Sequence, residues 1–389
     1  MEYRWHSSMA TIARDRWNDL AEVVGPTPLL HHEWLNHLET SGSITPRNGW
    51  VPQHLTVHDG ERLVAAVPLY RRDHSLGEFV FDFAFAQVAE EIGATYYPKL
   101  VGMSPATPST AYGFLVEPGR EHALLPGIME EIERYCHREG IGVLQFNFIL
   151  PRWRKLLEPY RLVAWEHHGY QWYNEDFESF EDYLARFHKG QRRNIRRERA
   201  SLAKQGLRAV IVPGTEAPDE LFHRMARYYL RTNARFGPWA ARFLTSRFFS
   251  GMPREVRGHV WFAAAIPDAS ASAQTISEPV ALAMLLRRGD HLLGRYWGTE
   301  NYARDLHFNL CYYTPMEWAI AQGIRTFDPG MGSEHKVRRG FRSVPTCSLH
   351  RFFDPTMDSI LRANIDRINA MEQEQIESLD AAIPFRRGR

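Results

Sequence analysis

The sequence is poor in cysteine and has no long apolar run. Only Cys136, Cys311 and Cys347 occur among its 389 residues. Because these cysteines are odd in number and far apart, they do not match a disulfide framework or a zinc knuckle, and we expect reduced thiols in a core. No stretch stays apolar over the length of a membrane-spanning helix. Both absences predict a soluble protein without a membrane span.

Signals for export, metal-dependent hydrolysis and serine nucleophiles are also missing. Residues 1–6 lack the apolar core of a signal peptide, which predicts a cytoplasmic protein. Residues 31–37 read HHEWLNH, but the second histidine comes one position too late for the zinc-protease pattern. No Gly-x-Ser-x-Gly motif is present. We therefore expect neither a metal nor a serine nucleophile.

The net charge is only +1, so any affinity for nucleic acid must come from a local patch. One patch lies in a helix predicted at about residues 179–205, and Glu198 is the only acid among the cations between Arg186 and Arg208. On a helix these cations share a face and can meet successive phosphates. A solvated helix face is the alternative, but the scarcity of carboxylates favours phosphate binding. The candidate residues for this phosphate contact, and so for binding a nucleic acid such as tRNA, are Lys189, Arg192, Arg193, Arg196, Arg197 and Lys204.

The chain is long enough for two domains, and 44% of its residues are hydrophobic. Asp59-Gly60 between two apolar runs predicts a hairpin. In each half, a strand pair precedes a long helix and another strand, so we interpret the halves as two copies of one α/β (α+β) unit. We expect domains at residues 1–174 and 175–355, a closing helix and tail at 356–389, and a hairpin loop at 268–273.

Polar residues lie among aromatic ones in the first half. Polar groups in apolar surroundings can have shifted pKa values and can bind a substrate. Alternatively, they are buried partners that hold an irregular loop together, and the sequence leaves both interpretations open. The candidates are His74, Glu78, Asp82, Tyr97 and Lys99.

Residues 294–351 alternate aromatic, charged and glycine residues at a density unlike that of an ordinary core. A strand end, a helix at 305–322 and a glycine-rich loop at 328–332 are predicted to bring polar side chains to one cleft. Pro315 is expected to kink or break that helix. The candidate substrate-binding residues are Arg295, Tyr296, Glu300, His307 and Arg339. The candidate catalytic residues are Glu334, His335 and Lys336, for which a surface loop held by a salt bridge is the alternative.

Several of these stretches resemble one family. GRYWG (294–298), LHF (306–308), CYY (311–313), EHK (334–336) and RGF (339–341) in the second half, with PLY (68–70), VFDF (80–83) and YYPKL (96–100) in the first, are similar to the FemAB-like predicted N-acyltransferases of the acetyltransferase (GNAT) superfamily. The resemblance implies two tandem GNAT-like domains. The run QRRNIR (191–196) is similar to the Lys-x-Arg-x-x-Ile-Arg run that opens the second domain of Fem transferases.

The resemblance also implies attack of an amine on an activated acyl carbon. The amine must arrive neutral, and the oxyanion that forms must be stabilised. We expect Glu334 or His335 to accept the amine proton. Lys336, Arg295 and N–H groups of the glycine loop are expected to stabilise the oxyanion. His307 and Cys311 lie one helical turn apart, but two ligands do not make a metal site.

The donor is an open choice between two classes. Ordinary GNAT enzymes hold the coenzyme A pyrophosphate on an Arg/Gln-x-x-Gly-x-Gly/Ala loop at a helix start, and no such loop follows a predicted strand here. With the basic helix, this favours acyl- or aminoacyl-tRNA as donor and an amine of a small molecule or peptide as acceptor, without a bound cofactor. Acyl-CoA is the alternative donor. A third interpretation is a non-catalytic module that recognises a cell-wall peptide or nucleic acid.

Overall fold

The computed structural model describes residues 1–25, 27–237, 242–268, 276 and 278–386. Residues 269–273 of the predicted hairpin loop and the end of the predicted tail lie outside these ranges. The chain divides into two compact units. Unit 1 comprises residues 1–168 and 345–375, and unit 2 comprises residues 169–344 and 376–389.

The strands are numbered in chain order. They are β1 (Glu2–His6), β2 (Trp50–Pro52), β3 (His54–Asp59), β4 (Arg62–Val67), β5 (Tyr70–Arg72), β6 (Lys99–Gly102), β7 (Leu115–Val116), β8 (Val143–Phe146), β9 (Val163–Tyr173), β10 (Leu207–Pro213), β11 (Val260–Pro267), β12 (Ala281–Arg288), β13 (His291–Thr299), β14 (Thr326–Asp328) and β15 (Arg342–Phe352).

The helices are numbered in the same way. They are α1 (Arg14–Ala21), α2 (His32–Thr40), α3 (Phe83–Ile92), α4 (Glu121–Arg138), α5 (Pro151–Leu157), α6 (Phe180–Ala185), α7 (Lys189–Lys204), α8 (Asp219–Ala234), α9 (Ser246–Ser250), α10 (Arg254–Arg257), α11 (Leu306–Phe308), α12 (Thr314–Ala321) and α13 (Pro355–Ala381). A 3₁₀ turn, Glu334–Arg339, precedes β15 and is called the 334–339 turn below.

Unit 1 contains two sheets. One has the order β1-β3-β4-β7, and the other contains β15, β8, β6, β5 and β2 in that order. In the second sheet β6 and β8 are parallel, from Lys99 opposite Val143 to Gly102 opposite Phe146. Parallel neighbours need a crossover connection, which here includes α4. The remaining pairs in this sheet within unit 1 are antiparallel.

The hairpin predicted at Asp59-Gly60 joins β3 and β4, which are antiparallel. Gly60 has a φ of 60°, a left-handed conformation that suits glycine and closes a tight turn. The pairing of β3 with β4 confirms the predicted hairpin. The prediction was possible because its signal lies in two adjacent residues.

Unit 2 repeats the strand order of the second sheet. Its strands follow the order β10-β11-β12-β13-β14-β9. The pairs from β10 to β13 are antiparallel, β13 and β14 are parallel, and β9 is antiparallel to β14. In each unit, an antiparallel run therefore leads to one parallel pair with a helical crossover, followed by an antiparallel strand. The predicted α/β fold with two similar units is confirmed.

The units differ in extent from the predicted domains because the C-terminal residues pack in both. Residues 349–352 of β15 pair with β8 in unit 1. Met357, Leu361 and Ile365 of α13 are buried with Val143 in the unit 1 core. The end of α13 behaves differently, since Leu379 belongs to the aromatic core of unit 2. The sequence predicted α13 as a separate segment. The spacing of apolar residues shows which side of a helix is buried, but not which residues that side contacts.

The single helix predicted at residues 179–205 is two helices. Ser179 caps α6 by accepting a hydrogen bond from the Asp182 N–H. The chain is extended again at His188, whose side chain accepts from the Gln191 N–H at the start of α7. Side-chain caps satisfy N–H groups that a helix start leaves unpaired. The break makes α6 and α7 separate helices.

The helix predicted at residues 305–322 passes through Pro315 with a change of winding. A π-helical turn, Asn309–Tyr313, lies between α11 and α12. Pro315 is the second residue of α12, an early position where a missing N–H is tolerated. The helix is thus altered just before the proline and continues beyond it. None of the described helices combines the length and apolar character that a membrane crossing would need.

Candidate active site

Strands β13 and β14 pair over a short stretch and then separate. Residues 291–293 of β13 pair with residues 326–328 of β14. Beyond them β13 continues to Thr299, whereas the chain leaves β14 at Asp328 and turns through a glycine loop. Within the described ranges, no strand pairs with this edge of β13 from Gly294 onward. The candidate active site lies at this separation.

The loop at 328–332 depends on its glycines. Gly330 and Gly332 have φ values of 83° and 111°, which glycine adopts far more readily than other residues. Asp328 accepts a 2.7 Å hydrogen bond from the Gly330 N–H. A Cβ at Gly330 would stand 3.2 Å from the Gly294 carbonyl oxygen. The loop backbone therefore lies directly against β13.

Lys336 points back to this loop from the 334–339 turn. It is 3% exposed, and its Nζ donates to the Met331 carbonyl at 3.1 Å. The same Nζ lies 5.0 Å from the ring centroid of Tyr170. Burial lowers the pKa of Lys336 to about 8. At neutral pH the loop thus faces a buried cation that can lose its proton within reach of physiological pH.

Glu334 and His335 lie on the same turn and are exposed. The Glu334 charge adds to burial in raising the pKa of Tyr170, the tyrosine over which Lys336 lies. The His335 ring is 6.0 Å from that of Phe308. The three predicted catalytic side chains are therefore brought together, with the lysine buried and the other two facing solvent.

His307 and Cys311 lie on the helical side of this cluster. The His307 ring packs 4.7 Å from Trp297 and 5.2 Å from Tyr312, centroid to centroid. Burial lowers the pKa of His307 to about 4, and the charge of Lys336 acts in the same direction. The imidazole is therefore neutral at pH 7. Burial raises the pKa of Cys311, so its thiol stays protonated. Across the described residues, no group of three or more acidic, histidine or cysteine side chains is placed to hold a metal ion.

Arg339 fastens the 334–339 turn to helix α7. It is 4% exposed, and its Nη2 lies 2.9 Å from Glu198 Oε2. The Tyr313 hydroxyl donates to the same carboxylate oxygen, and Gln191 Nε2 donates to the Arg338 carbonyl at 2.6 Å. Arg339, predicted to bind substrate, is thus engaged inside the protein. Its contacts fix α7 beside the predicted catalytic residues.

The outward face of α7 carries cations without acidic partners. Lys189, Arg193, Arg197 and Lys204 are exposed and form no ion pair with any described residue. Their spacings of four, four and seven residues place them on one side of a helix with 3.6 residues per turn. Glu198 does not neutralise this face, because it turns inward to Arg339.

The other arginines of α7 are engaged within the protein. Arg196 lies 2.6 Å from Glu181 of α6, and Arg199 pairs with Glu317 of α12. Arg192 is half-buried and donates to the Phe187 carbonyl at 3.2 Å. Glu181 and Glu317, two acids outside the stretch from Arg186 to Arg208, thus pair with arginines of α7.

The predicted substrate residues on β13 separate onto different surfaces. The Tyr296 ring packs 5.6 Å from Tyr229 and Phe249, on the side of α8 and α9, whereas Trp297 packs on His307. Side chains alternate along a strand, which explains the difference. Glu300 lies 2.7 Å from Arg231 of α8. Tyr296 and Glu300 are therefore not brought to the cluster around Lys336.

The predicted polar residues of the first half form a closed network in unit 1. Lys99, Glu78 and Asp82 are 0% exposed, and Lys99 Nζ lies 2.6 Å from a carboxylate oxygen of each acid. Arg72 Nε pairs with Glu78 at 3.0 Å. The Gln145 amide donates to Asp82 at 2.8 Å. Burial alone would raise the pKa of Asp82, but the charge of Lys99 and hydrogen bonds from Lys99, Gln145 and Ser75 lower it. The geometry favours the second interpretation, in which these residues hold an irregular loop.

His74 and Tyr97 belong to the rim of the same loop. The Tyr97 hydroxyl lies 2.8 Å from Ser75 Oγ, and His74 Nδ1 lies 3.2 Å from Arg72 Nη2. Burial lowers the pKa of His74. Both side chains are half-buried. They stay candidates for binding in unit 1, although their observed partners lie within the protein.

Acidification is expected to destabilise unit 1 through His350. This residue is 1% exposed, neither ring nitrogen has a partner among the described residues, and burial lowers its pKa from 6.5 to about 3. Between these values the unfolded chain binds more protons than the folded one, so stability falls as pH falls. Each unit of pKa corresponds to about 1.4 kcal/mol. Urea midpoints at pH 7 and pH 4 measure the loss.

The matched variants for this prediction are His350→Leu and His122→Leu. His122 is exposed, so its replacement is expected to leave the pH dependence unchanged, whereas His350→Leu is expected to reduce it. An equal loss of stability on acidification in the parent and in His350→Leu would show that another group is responsible.

Sequence reasoning missed Tyr170 and Glu198 as parts of the site. Tyr170 lies on β9, and nothing in its local sequence indicates that Lys336 lies over its ring. Glu198 was read as an acid within the basic row, while its burial against Arg339 was not visible. Only helical spacing could have suggested that Glu198 and the exposed cations face different ways.

The chain is a tandem of two α/β units, and in the second unit the parallel strand pair separates beside the buried Lys336. The sequence profile of the FemAB-like family, described as peptidoglycan biosynthesis/recognition, matches residues 8–387. The chain therefore belongs to the FemAB-like family.

Solved structures with the same fold are distant in sequence. FemX is 12% identical, with a TM-score of 0.54 over 93% of this chain and 100% of that chain. L-PGS from Bacillus licheniformis is 11% identical, with a TM-score of 0.50 over 92% of this chain and 97% of that chain. A conserved protein of unknown function from Bacteroides thetaiotaomicron is 10% identical, with a TM-score of 0.50 over 90% and 99%. A comparison with curated proteins finds no match. At these identities the likeness concerns the fold.

Proposed function

We propose that this protein transfers an acyl or aminoacyl group from tRNA to an amine of a small-molecule or peptide acceptor, at the site around Lys336 in unit 2. The observation that carries the proposal is the cationic face of α7, formed by Lys189, Arg193, Arg197 and Lys204. A tRNA donor would place the reaction in the cytoplasm.

The position of this face favours a donor with a phosphate backbone. Exposed cations without acidic partners attract phosphates and release counterions when they bind them. Gln191 and Glu198 hold α7 against the 334–339 turn through Arg338 and Arg339. Phosphates bound along α7 would therefore lie in the same unit as Lys336, and on the helix that is fixed to its turn.

The proposed chemistry gives separate roles to the buried Lys336 and to the exposed Glu334. In the proposed reaction the amine attacks the ester carbon and the carbonyl oxygen becomes an oxyanion. The bond to the tRNA oxygen then breaks, and the tRNA leaves as a hydroxyl that carries the proton lost by the amine. Lys336 stabilises the oxyanion, together with the Met331 and Gly332 N–H groups, which donate to no acceptor in the described part of the chain. Glu334 accepts the amine proton, directly or through water.

Charge reversal on α7 tests the donor. Arg193→Glu and Arg197→Glu are each expected to weaken binding of bulk tRNA, because each removes one phosphate contact and adds a repulsion. The dependence of log K on log salt should become shallower by about one unit for each lost contact. Fluorescence anisotropy with labelled bulk tRNA at several salt concentrations measures both quantities.

Lys155→Glu and Arg367→Glu are the matched controls. Both residues are exposed and lie in unit 1, so the same change of net charge is made away from α7. If all four variants weaken tRNA binding equally, the effect is one of overall charge and the proposal fails. Tight binding of CoA that survives both α7 reversals would identify acyl-CoA as the donor instead. Binding of a cell-wall peptide without turnover of either donor would identify a recognition module.

A further inference from the structure

Arg295 occupies an irregular point of β13. Leu285 of β12 lies opposite Gly294, and the next residue, Met284, lies opposite Tyr296. Arg295 is therefore the extra residue of a β-bulge, a device that re-aims a side chain and is common beside active sites. It stands where β13 has lost β14 as a neighbour, one residue from the contact between Gly294 and the glycine loop.

The guanidinium of Arg295 has buried donors without acceptors. Its Nε and Nη1 are both inaccessible to solvent and have no hydrogen-bond partner among the described residues. No acid in those ranges forms an ion pair with it. Glu300 is engaged by Arg231 at 2.7 Å and by Arg227 at 3.6 Å, and Asp328 accepts from Gly330.

Arg295 is half-buried as a whole, but its two shielded donors are costly to leave unpaired, and no described residue compensates for them. Buried polar groups in folded proteins almost always have partners, and an arginine cannot become neutral as a buried lysine can. An acceptor supplied by a ligand would satisfy both donors. A guanidinium is matched best by a carboxylate or a phosphate, which can accept two of its hydrogen bonds.

We propose that Arg295 binds an anionic group of the acceptor, so that the acceptor is an amine that also carries a carboxylate or a phosphate. This inference rests on the proposed transferase function for the identity of the amine. We assign the anion to the amine acceptor and not to the acyl donor, because the shielded N–H groups of Arg295 suit a small anion that loses its water on binding. A polynucleotide backbone is met by exposed cations, as on α7.

Paired probes test the requirement for the anion. Glycine is compared with glycinamide, and phosphoethanolamine with ethanolamine, at constant ionic strength, so that each pair keeps the amine and removes the anionic group. We expect one anionic member to raise the melting temperature of the parent by about 2 °C or more, through preferential binding to the folded state. The pair that responds distinguishes a carboxylate from a phosphate.

Arg295→Met and Arg304→Met complete the test. Arg304 is exposed, and its replacement is expected to leave the response intact. Arg295→Met is expected to abolish the response, while its melting temperature without ligand stays the same or rises, because an unpaired charge has been removed. A response that survives Arg295→Met, or the absence of any difference within both pairs in the parent, overturns the proposal. A clear fall in the melting temperature of Arg295→Met without ligand overturns it as well, because that is the result of a purely structural arginine.

The outcome can be separated from that of the proposed function. Arg295→Met is expected to bind bulk tRNA with the parent's affinity and salt dependence. If the anionic probes raise the melting temperature as expected but the α7 charge reversals leave tRNA binding unchanged, the anion site is supported and the proposed tRNA donor is not. If α7 governs tRNA binding and the probes give no response, the donor stands and the anion site falls.

Discussion

Replacing Lys99 with methionine is expected to destabilise unit 1 by about 3–5 kcal/mol, the range found when one partner of a buried ion pair is removed. Lys99 is 0% exposed and is the shared partner of Glu78 and Asp82, which are also 0% exposed. Without it, Glu78 retains Arg72, but Asp82 keeps only neutral donors such as Gln145. A buried carboxylate without a cation is unfavourable.

Acid should reduce this destabilisation. In the parent, the pKa of Asp82 is lowered, so its ionised form contributes stability above the unfolded value of 3.8. Without Lys99 the buried carboxylates are easier to protonate, and protonation removes the uncompensated charge. The difference between parent and variant should therefore shrink as the pH is lowered from 8 to about 5. Adding Asp82→Asn to Lys99→Met is expected to restore part of the stability at pH 8.

Hydrogen exchange of the peptides that contain β6 and β8 measures this effect in unit 1 alone. Arg71→Met is the matched control, because Arg71 is 39% exposed and lies 3.7 Å from an exposed Asp73. A surface pair of this kind contributes about 0–1 kcal/mol. Protection of β6 and β8 in Lys99→Met within about 1 kcal/mol of the parent would mean that the network does not hold this loop.

The network also shows where sequence reasoning reached its limit. Glu78, Asp82 and Lys99 were recognisable as polar residues in apolar surroundings, and both a binding role and a structural role agreed with that pattern. The decision depended on whether a cation and two acids face one another. Gln145, which completes the network, is separated from Asp82 by 63 residues. No local pattern carries such information.

The second unit was predictable to a different degree. The spacing along α7 indicated a cationic face, since helical periodicity is a local property. It did not reveal Glu181 and Glu317, which remove Arg196 and Arg199 from that face. The side of β13 on which each residue lies was also hidden, because the bulge at Arg295 changes the alternation. Local chemistry was thus readable, while partners contributed by distant segments were not.

Replacing Lys336 with methionine is expected to lower the rate of acyl transfer by about 10²–10³, the usual effect of removing one oxyanion-stabilising donor. The Nζ of Lys336 lies against the glycine loop, 3.1 Å from the Met331 carbonyl. The fold should not suffer. Because burial lowers the pKa of Lys336 from 10.5 to about 8, the unfolded chain binds more protons between these values, and the charged lysine disfavours the folded state below pH 8. Methionine removes that cost.

Lys336→Arg tests whether a permanent positive charge at this position sustains the rate at high pH. Arginine stays protonated throughout the accessible pH range, so any activity it retains should not decline above pH 8. In the parent the cationic form is lost as pH rises through about 8, and the rate is expected to fall with it. The assay follows label from radiolabelled bulk aminoacyl-tRNA into acid-stable amides of a mixed amine pool. Should Lys336→Met keep more than about a tenth of the parent's rate, or lose activity only where it also unfolds, the oxyanion role would pass to the backbone N–H groups of Met331 and Gly332.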